Sequence, residues 1–490
     1  MKKKIFNFSN TYSKLPETFY EKINPVPVKN PKLEQYNLNL SKQLNIDPKK
    51  ISDETGSLIF SGNLIPTGAH PIAMVYAGHQ FGNFVPKLGD GRAILIGELI
   101  TTNGERFDLQ LKGSGRTPFS RQGDGRSPIG PVIREYIVSE ALHYLGIKST
   151  RSLAIVSTGE NVVRERLIPG GILTRIASSH IRIGTFEYFY HKNDLKSLNK
   201  LIEYTNQRHF SDKNGKNQYE SLLKTVIKSQ AKLISKWMGI GFIHGVMNTD
   251  NTSICGETID FGPCAFMDHF NPDRVFSYID HSGRYSYSNQ GKVMLWNLSK
   301  FAECLIPFLD ANLNKSRKKA IDCLNTFPDY FNNYWLKEMS RKIGISTAKK
   351  EDQLLINDLL EILTNENLDF TLSFRNLSKL DSQNTNSFFD KIKNKKKFGN
   401  WVDRWNKRLE NEKQKISKIK HKLNDINPAY IPRNHIVEEI IESVEEKNDF
   451  SPMKNFLSII QKPFINQNVN LKYESAPEPH EIVSNTFCGT

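Results

Sequence analysis

His244-Gly-Val-Met-Asn-Thr-Asp-Asn251 is followed, nine residues on, by Asp260-Phe261-Gly262. Asn251 and Asp260 are hard oxygen donors of the kind that hold Mg²⁺ or Mn²⁺ against phosphate groups. Asp250 sets a carboxylate beside them, where it can serve as a general base or act electrostatically. The tripeptide Asp260-Phe-Gly262 is common by chance when alone. Its weight comes from standing in register with His244 and Asn251.

A protein-kinase catalytic loop has the form H-R-D-x-x-x-x-N and precedes D-F-G, with the Asn and the D-F-G Asp on the metal ions. The seventh residue after His244 is Asn251, as that pattern asks; the second, where the proton-accepting Asp belongs, is Val246. Valine accepts no proton. The segment keeps the residues that grip a metal-nucleotide and lacks the usual base, so a change of chemistry is expected.

Working upstream, Ala93–Ile100 and Arg106–Lys112 read as two strands joined by a turn at Asn103-Gly104. Residues 130–146 read as a helix begun near Pro131 and ended at Gly146. The turn Gly89-Asp-Gly91-Arg92 is either a phosphate-approaching loop or a plain hairpin turn. Lys112 closes the second strand, and Glu135, twenty-three residues on, is the helix carboxylate that would pair with it, with Glu140 competing. Asp124-Gly125-Arg126 could pin a sugar or adenine edge, or cap a turn. Arg175 and Arg182 stand seven residues apart, read as two turns of one helical face, a spacing suited to an anion.

Downstream, residues 217–239 read as a long amphipathic helix and 290–380 as a helical block. Lys391-Ile-Lys-Asn-Lys-Lys-Lys397 is a charged break or an exposed helix face, and Trp401 and Trp405 have core spacing. The expected fold is α+β and protein-kinase-like: a small β-rich N-lobe (71–170) and a larger helical C-lobe (171–385). An N-terminal arm (1–70), broken by Pro16, Pro25, Pro27 and Pro31, and a C-terminal helical extension and tail (386–490) flank them.

The chain has 490 residues, 38% hydrophobic, with 29 Phe and 17 Tyr, enough for more than one packed unit. Its formal charge of +15 favours acidic partners, nucleotides among them. No stacking motif or nucleic-acid module accompanies that charge. Five cysteines, at 255, 264, 304, 323 and 488, show no C-x-x-C pair, which points to a reducing compartment. No signal-peptide pattern and no run of about 18 apolar residues occurs. A cytoplasmic protein without a membrane span is expected.

Together these residues resemble the selenoprotein O family from about residue 65 onward. The strings that carry the resemblance are Leu88-Gly-Asp-Gly-Arg-Ala93, Leu109-Gln-Leu-Lys-Gly-Ser-Gly115, Gly123-Asp-Gly-Arg126, Leu173-Thr-Arg-Ile-Ala-Ser-Ser-His180, the two segments quoted first with Pro263, and Pro432-Arg-Asn-His435. The resemblance implies a kinase-like protein that moves AMP, not phosphate, from ATP to Ser, Thr or Tyr hydroxyls of proteins, itself included, releasing pyrophosphate. It implies that Gly89, Gly91, Arg92, Lys112, Asp124, Gly125, Arg175, Arg182 and Asp260 contact a nucleotide bound in a flipped orientation, Arg175 and Arg182 at its γ-phosphate. Glu135 would pair with Lys112, Asn251 and Asp260 would hold Mg²⁺ or Mn²⁺, and Asp250 would accept the proton. Family members often carry a Cys or selenocysteine near the C-terminus, some pairing it with a cysteine after D-F-G. Here the first is Cys488, the aligned partner position is Phe276, and the nearest thiol is Cys264. A Cys488–Cys264 link is the corresponding redox expectation.

Two other readings stay open at this stage. A true kinase could use Asp250 as a displaced base, and a non-catalytic scaffold could bind ATP without transferring any part of it.

Overall fold

A computed structural model describes residues 5–210, 218–380, 387–412, 414–467 and 471–487. The strands are β1 (Tyr20–Lys22), β2 (Lys32–Tyr36), β3 (Ile72–Met74), β4 (Gly78–Gln80), β5 (Asn83–Val85), β6 (Ala93–Ile100) and β7 (Arg106–Lys112). After these come β8 (Ser127–Pro128), β9 (Arg151–Val163), β10 (Leu167–Ala177), β11 (Phe242–Ile243) and β12 (Ala265–Phe266). The first helices are α1 (Leu38–Gln43), α2 (Asp53–Phe60), α3 (Ile129–Tyr144), α4 (Ile183–His191), α5 (Leu195–His209) and α6 (Gln218–Gly239). The helical part continues with α7 (Gln290–Leu309), α8 (Leu313–Leu324), α9 (Phe327–Lys342), α10 (Asp352–Asn365) and α11 (Phe370–Asn376). It ends with α12 (Lys395–Glu410), α13 (Ile416–Ile426), α14 (Asn434–Lys447), α15 (Ser451–Ile460) and the short α16 (Leu471–Glu474).

The architecture is mixed α+β: an antiparallel sheet built largely from the first third of the chain, then a helical C-terminal part. The sheet runs β1-β3-β6-β7-β10-β9-β2, with β8 paired to β10. β6 and β7 have the expected bounds, and the turn at Asn103-Gly104 joins them. Within residues 1–70, β1 and β2 form the two ends of the sheet. The prolines there cut the segment into short pieces, but edge strands need only a few free N–H groups. Their partners lie far along the chain, so no local pattern announces them.

Alternation along β7 and β10 then builds the site. Leu109, Leu111, Ile172 and Ile176 face one core, shared with Phe60 of α2 and Leu40 of α1. The intervening residues, Gln110, Lys112, Leu173 and Arg175, take the opposite face, since successive side chains of a strand point to opposite sides. There Leu173 packs with Ile133 and Ile137 of α3, and α3 packs in turn on α14 and α15. Register pairs Leu173 with Lys112 and Arg175 with Gln110. Two basic side chains therefore emerge side by side beneath α3.

Pro432-Arg-Asn-His435 ties the helical part together. The buried guanidinium of Arg433, at the entrance to α14, lies 2.6 Å from Asp268 and 2.8 Å from Asp369. Asp369 also caps α11 by accepting from the Leu372 N–H. Trp401 and Trp405 of α12 are fully buried, as their spacing predicts, and donate their indole N–H groups to the carbonyls of Leu355 and Ile343. Most of the Lys391–Lys397 side chains are exposed at the start of α12, the solvated-face alternative for that run. Among the described residues no helix is long and apolar enough to cross a membrane.

Candidate functional site

Five charged side chains meet where the sheet, α3 and the Asp260 segment come together. Lys112 Nζ lies 2.6 Å from Glu135 and 3.2 Å from Asp260. Arg175, from β10, lies 2.6 Å from Glu135 and 2.7 Å from Asp260, and its third nitrogen donates to Gln110 across the ladder at 3.3 Å. Arg182 reaches the other Asp260 oxygen at 2.5 Å and donates to the Asp250 carbonyl at 2.7 Å. Three cations thus converge on Glu135 and Asp260, with Asp90 at 4.0 Å from Arg182, a concentration of positive groups that suits an anionic ligand.

Burial would raise the Asp260 carboxyl, but Arg175, then Arg182 and Lys112, hold it well below the usual carboxylate range. Glu135 is lowered in the same way: burial opposes, while Arg175 and Lys112 prevail. Both acids stay ionised at neutral pH. Glu140, the competing helix carboxylate, is engaged elsewhere, gripping Arg151 through both oxygens at 2.7 Å and accepting from Asn37.

Arg175 and Arg182 are not on one helical face, as their spacing had suggested. Arg175 is a strand residue, in a Leu-Thr-Arg-Ile run whose β-branched residues favour a pleated surface. Arg182 is extended (φ −120°, ψ 165°) and stands just before α4. They still converge, one from the sheet and one from a helix entrance, on the same carboxylate.

The loop from His244 is held by its own polar groups. His244 Nε2 donates to the Ile259 carbonyl at 2.8 Å while Nδ1 accepts from the Val246 N–H, a pairing that needs the neutral ring. Burial lowers the His244 pKa, in agreement. Asn251 donates its amide N–H to the Val246 carbonyl at 2.9 Å, which leaves its side-chain oxygen as the donor atom for a cation. Asp250 is buried, and burial pushes its carboxyl up to about 7 against the lowering effects of Gln80 and Arg182.

The cleft above Lys112 and Glu135 is walled by Arg92, Val132, Phe261 and Gly262. The Arg92 guanidinium has no partner among the described residues. Gly89 takes φ +71°, and a side chain there would collide with the Phe119 ring, whose nearest atom lies 2.3 Å from the Cβ position. Gly91 is equally confined, by the Phe119 carbonyl at 2.9 Å. Asp124 is half-exposed, pairs with Arg164 at 3.0 Å and caps the Arg126 N–H. Gly125 packs its backbone on Gly115. No bond joins Asp124 to the Asp260 cluster among the described residues.

Cys264 is buried, and its thiol lies 3.4 Å from the Phe261 carbonyl. Cys488 lies outside the described residues. The tail before it is seated beside the segment that follows Gly262: Thr486 donates its hydroxyl to Pro263 at 2.6 Å and its N–H to Phe276 at 2.7 Å.

Several residues escaped the reading of motifs. Gln110 braces Arg175, and Asp90, buried inside the quoted glycine turn, accepts from Gln110 and the Met74 N–H and lies 4.0 Å from Arg182. Tyr76 stacks beneath the Arg182 guanidinium. Gln80 donates to Asp250 at 3.1 Å. The one signal for this last group is the cluster Gly78-His-Gln80, where polar and small residues interrupt an otherwise apolar stretch.

A family model described as protein adenylyltransferase SelO matches residues 3–461. The chain is 47% identical over 487 residues to a protein nucleotidyltransferase YdiU from Rhodopseudomonas palustris (strain BisB18), covering 99% of each. It is 48% identical over 491 residues to the like-named protein of strain HaA2, again with 99% of each covered. A protein of the same name from Maridesulfovibrio salexigens is 47% identical over 487 residues and covered to the same extent. The chain belongs to the protein adenylyltransferase SelO family, an enzyme family of the nucleotidyltransferase class.

Proposed function

We propose that this chain transfers AMP from ATP to Ser, Thr or Tyr hydroxyls of proteins and releases pyrophosphate. In this reading residues 71–170 and 171–385 are the two lobes of a kinase-like fold, with ATP in the cleft between them. The observation that carries it is the convergence of Lys112, Arg175 and Arg182 on Asp260. Two buried arginines at the inner end of the cleft supply the charge to hold a γ-phosphate there, and the α-phosphorus is then left toward the acceptor.

Asn251 and Asp260 fit a divalent cation. Both offer hard oxygens, and Asp260 stays ionised. Among the described residues no group of three or more His, Cys, Asp or Glu is placed to hold a metal. A two-ligand set suits Mg²⁺ or Mn²⁺, which substrate phosphates commonly complete. Such a cation would neutralise charge developing on the departing pyrophosphate.

The remaining steps belong to the chain. Lys112, fixed by Glu135, and the two arginines orient the triphosphate, and Gly89, Gly91 and Arg92 line its path. The acceptor oxygen forms a bond to the α-phosphorus, the bond from that phosphorus to the bridging oxygen breaks, and the hydroxyl proton passes to Asp250. With its carboxyl near 7, Asp250 lies in the range where a general base is most effective.

Incubation with ATP labelled at the α or the γ position tests this. Label should stay on protein from the α position and not from the γ position, and Asp250→Asn should lower transfer by about 100-fold or more. Retention of γ label only would make the chain a kinase. ATP-induced thermal stabilisation without any retained label would make it a scaffold.

A further inference from the structure

The hairpin of β4 and β5 lies against the loop that carries Asp250 and holds three successive residues of it. The Phe81 N–H donates to Asn248 at 3.1 Å, the His79 N–H to the Thr249 hydroxyl at 2.7 Å, and the Gln80 amide N–H to Asp250 Oδ2 at 3.1 Å. Two further bonds anchor the hairpin. His79 Nδ1 lies 2.5 Å from Glu187 on α4, and Tyr285, which donates to Asn248 at 2.5 Å, also accepts from the Phe81 N–H. The hairpin comes this close because Gly78 has no side chain: a Cβ there would lie 2.6 Å from Asp250 Oδ1.

The two oxygens of Asp250 are therefore unequal. Oδ2 is engaged by Gln80, while Oδ1 is buried against Gly78 without a hydrogen-bond partner among the described residues. A carboxylate rotates broadly about its last bond unless something fixes it. Among the described residues the carboxamide of Gln80 is the one side-chain donor on that group, and it is neutral, so it sets the plane of the carboxylate without adding charge beside the cation site.

We propose that Gln80 is a positioning residue for the transfer reaction, holding the Asp250 carboxylate in the orientation from which it accepts the proton of the incoming hydroxyl. This rests on Asp250 having the role proposed above. Gln80 needs no contact with ATP for it, so its loss should act on turnover and leave nucleotide binding alone.

The test is Gln80→Met, which keeps length and bulk and removes the donor, with Gln80→Ala as a second variant. AMP transfer from α-labelled ATP is followed at several ATP concentrations, with thermal denaturation as a check on folding. With either folded variant, kcat should fall about tenfold and KM for ATP should stay within about twofold. A fall in kcat smaller than about fivefold, or a loss residing in KM for ATP, overturns the proposal. If the parent retains no α label, the functional reading fails and this inference with it. If the parent transfers AMP and the variants match it, only the role of Gln80 is refuted.

Discussion

Asp260 is held at φ +64°, a left-handed conformation that costs a residue with a side chain about 1–3 kcal/mol. The geometry survives because Lys112, Arg175 and Arg182 all bind the carboxylate it presents. Asp90 shows the reverse balance. Burial pushes its carboxyl up to about 6 from an ordinary 3.8, with Arg182 only partly opposing. Below pH 3.8 folded and unfolded chains both carry the proton; from there to about 6 the folded chain keeps it more tightly. Stability should therefore fall as pH rises through that window and level off above it, by ~3 kcal/mol for a shift of about two units. Asp90→Asn removes the titrating group and still accepts from Met74 and Gln110. Melting curves at pH 4 and pH 7 should show the variant gaining on its parent at the higher pH; parallel behaviour at both would contradict this. Lys112 and Asp260 could be named because each sits at a fixed step in a pattern, whereas spacing left Glu135 in competition with Glu140 on the same helix. Asp90, Gln110 and Gln80 could not be named, since their roles arise only once distant strands and loops meet.

Elements with a strong local signal were legible, and those defined by a distant partner were not. β6 and β7 match their expected spans, α6 matches to within one residue and α3 to within two, because an Asn-Gly turn, amphipathic spacing, or a Pro start and Gly stop marks each of them locally. The stretch holding Arg175 and Arg182 misled. Its arginines have helical spacing, but the period of two in Ile172, Thr174 and Ile176 marked a strand, and the chain changes course between the arginines. In α12 the spacing of Trp401 and Trp405 was sound. Both indoles are buried and hydrogen-bonded, and their rings stack at 5.5 Å. Trp405→Ala should cost about 3–5 kcal/mol in chemical denaturation, through lost burial and an emptied site. A loss under about 1 kcal/mol would show that α12 is a loose appendage.

Across the whole molecule, a sheet followed by helices was legible in the sequence, while the pairing of the first residues was not. β1 and β2 occupy opposite ends of the sheet and cover the backbones of β3 and β9. A chain lacking residues 5–36 should expose both of those strands, and bare strands invite pairing with other copies. Size-exclusion chromatography should show it self-associating at concentrations where the parent does not; an unchanged profile would mean that the edges are protected in some other way. The same arrangement sets a timetable for biosynthesis. β2 leaves the ribosome more than a hundred residues ahead of its mate in β9, a wait of ~10 s at ordinary elongation rates. β2 is thus seated long after it is made, and a nascent chain stalled before residue 151 has nowhere to put it.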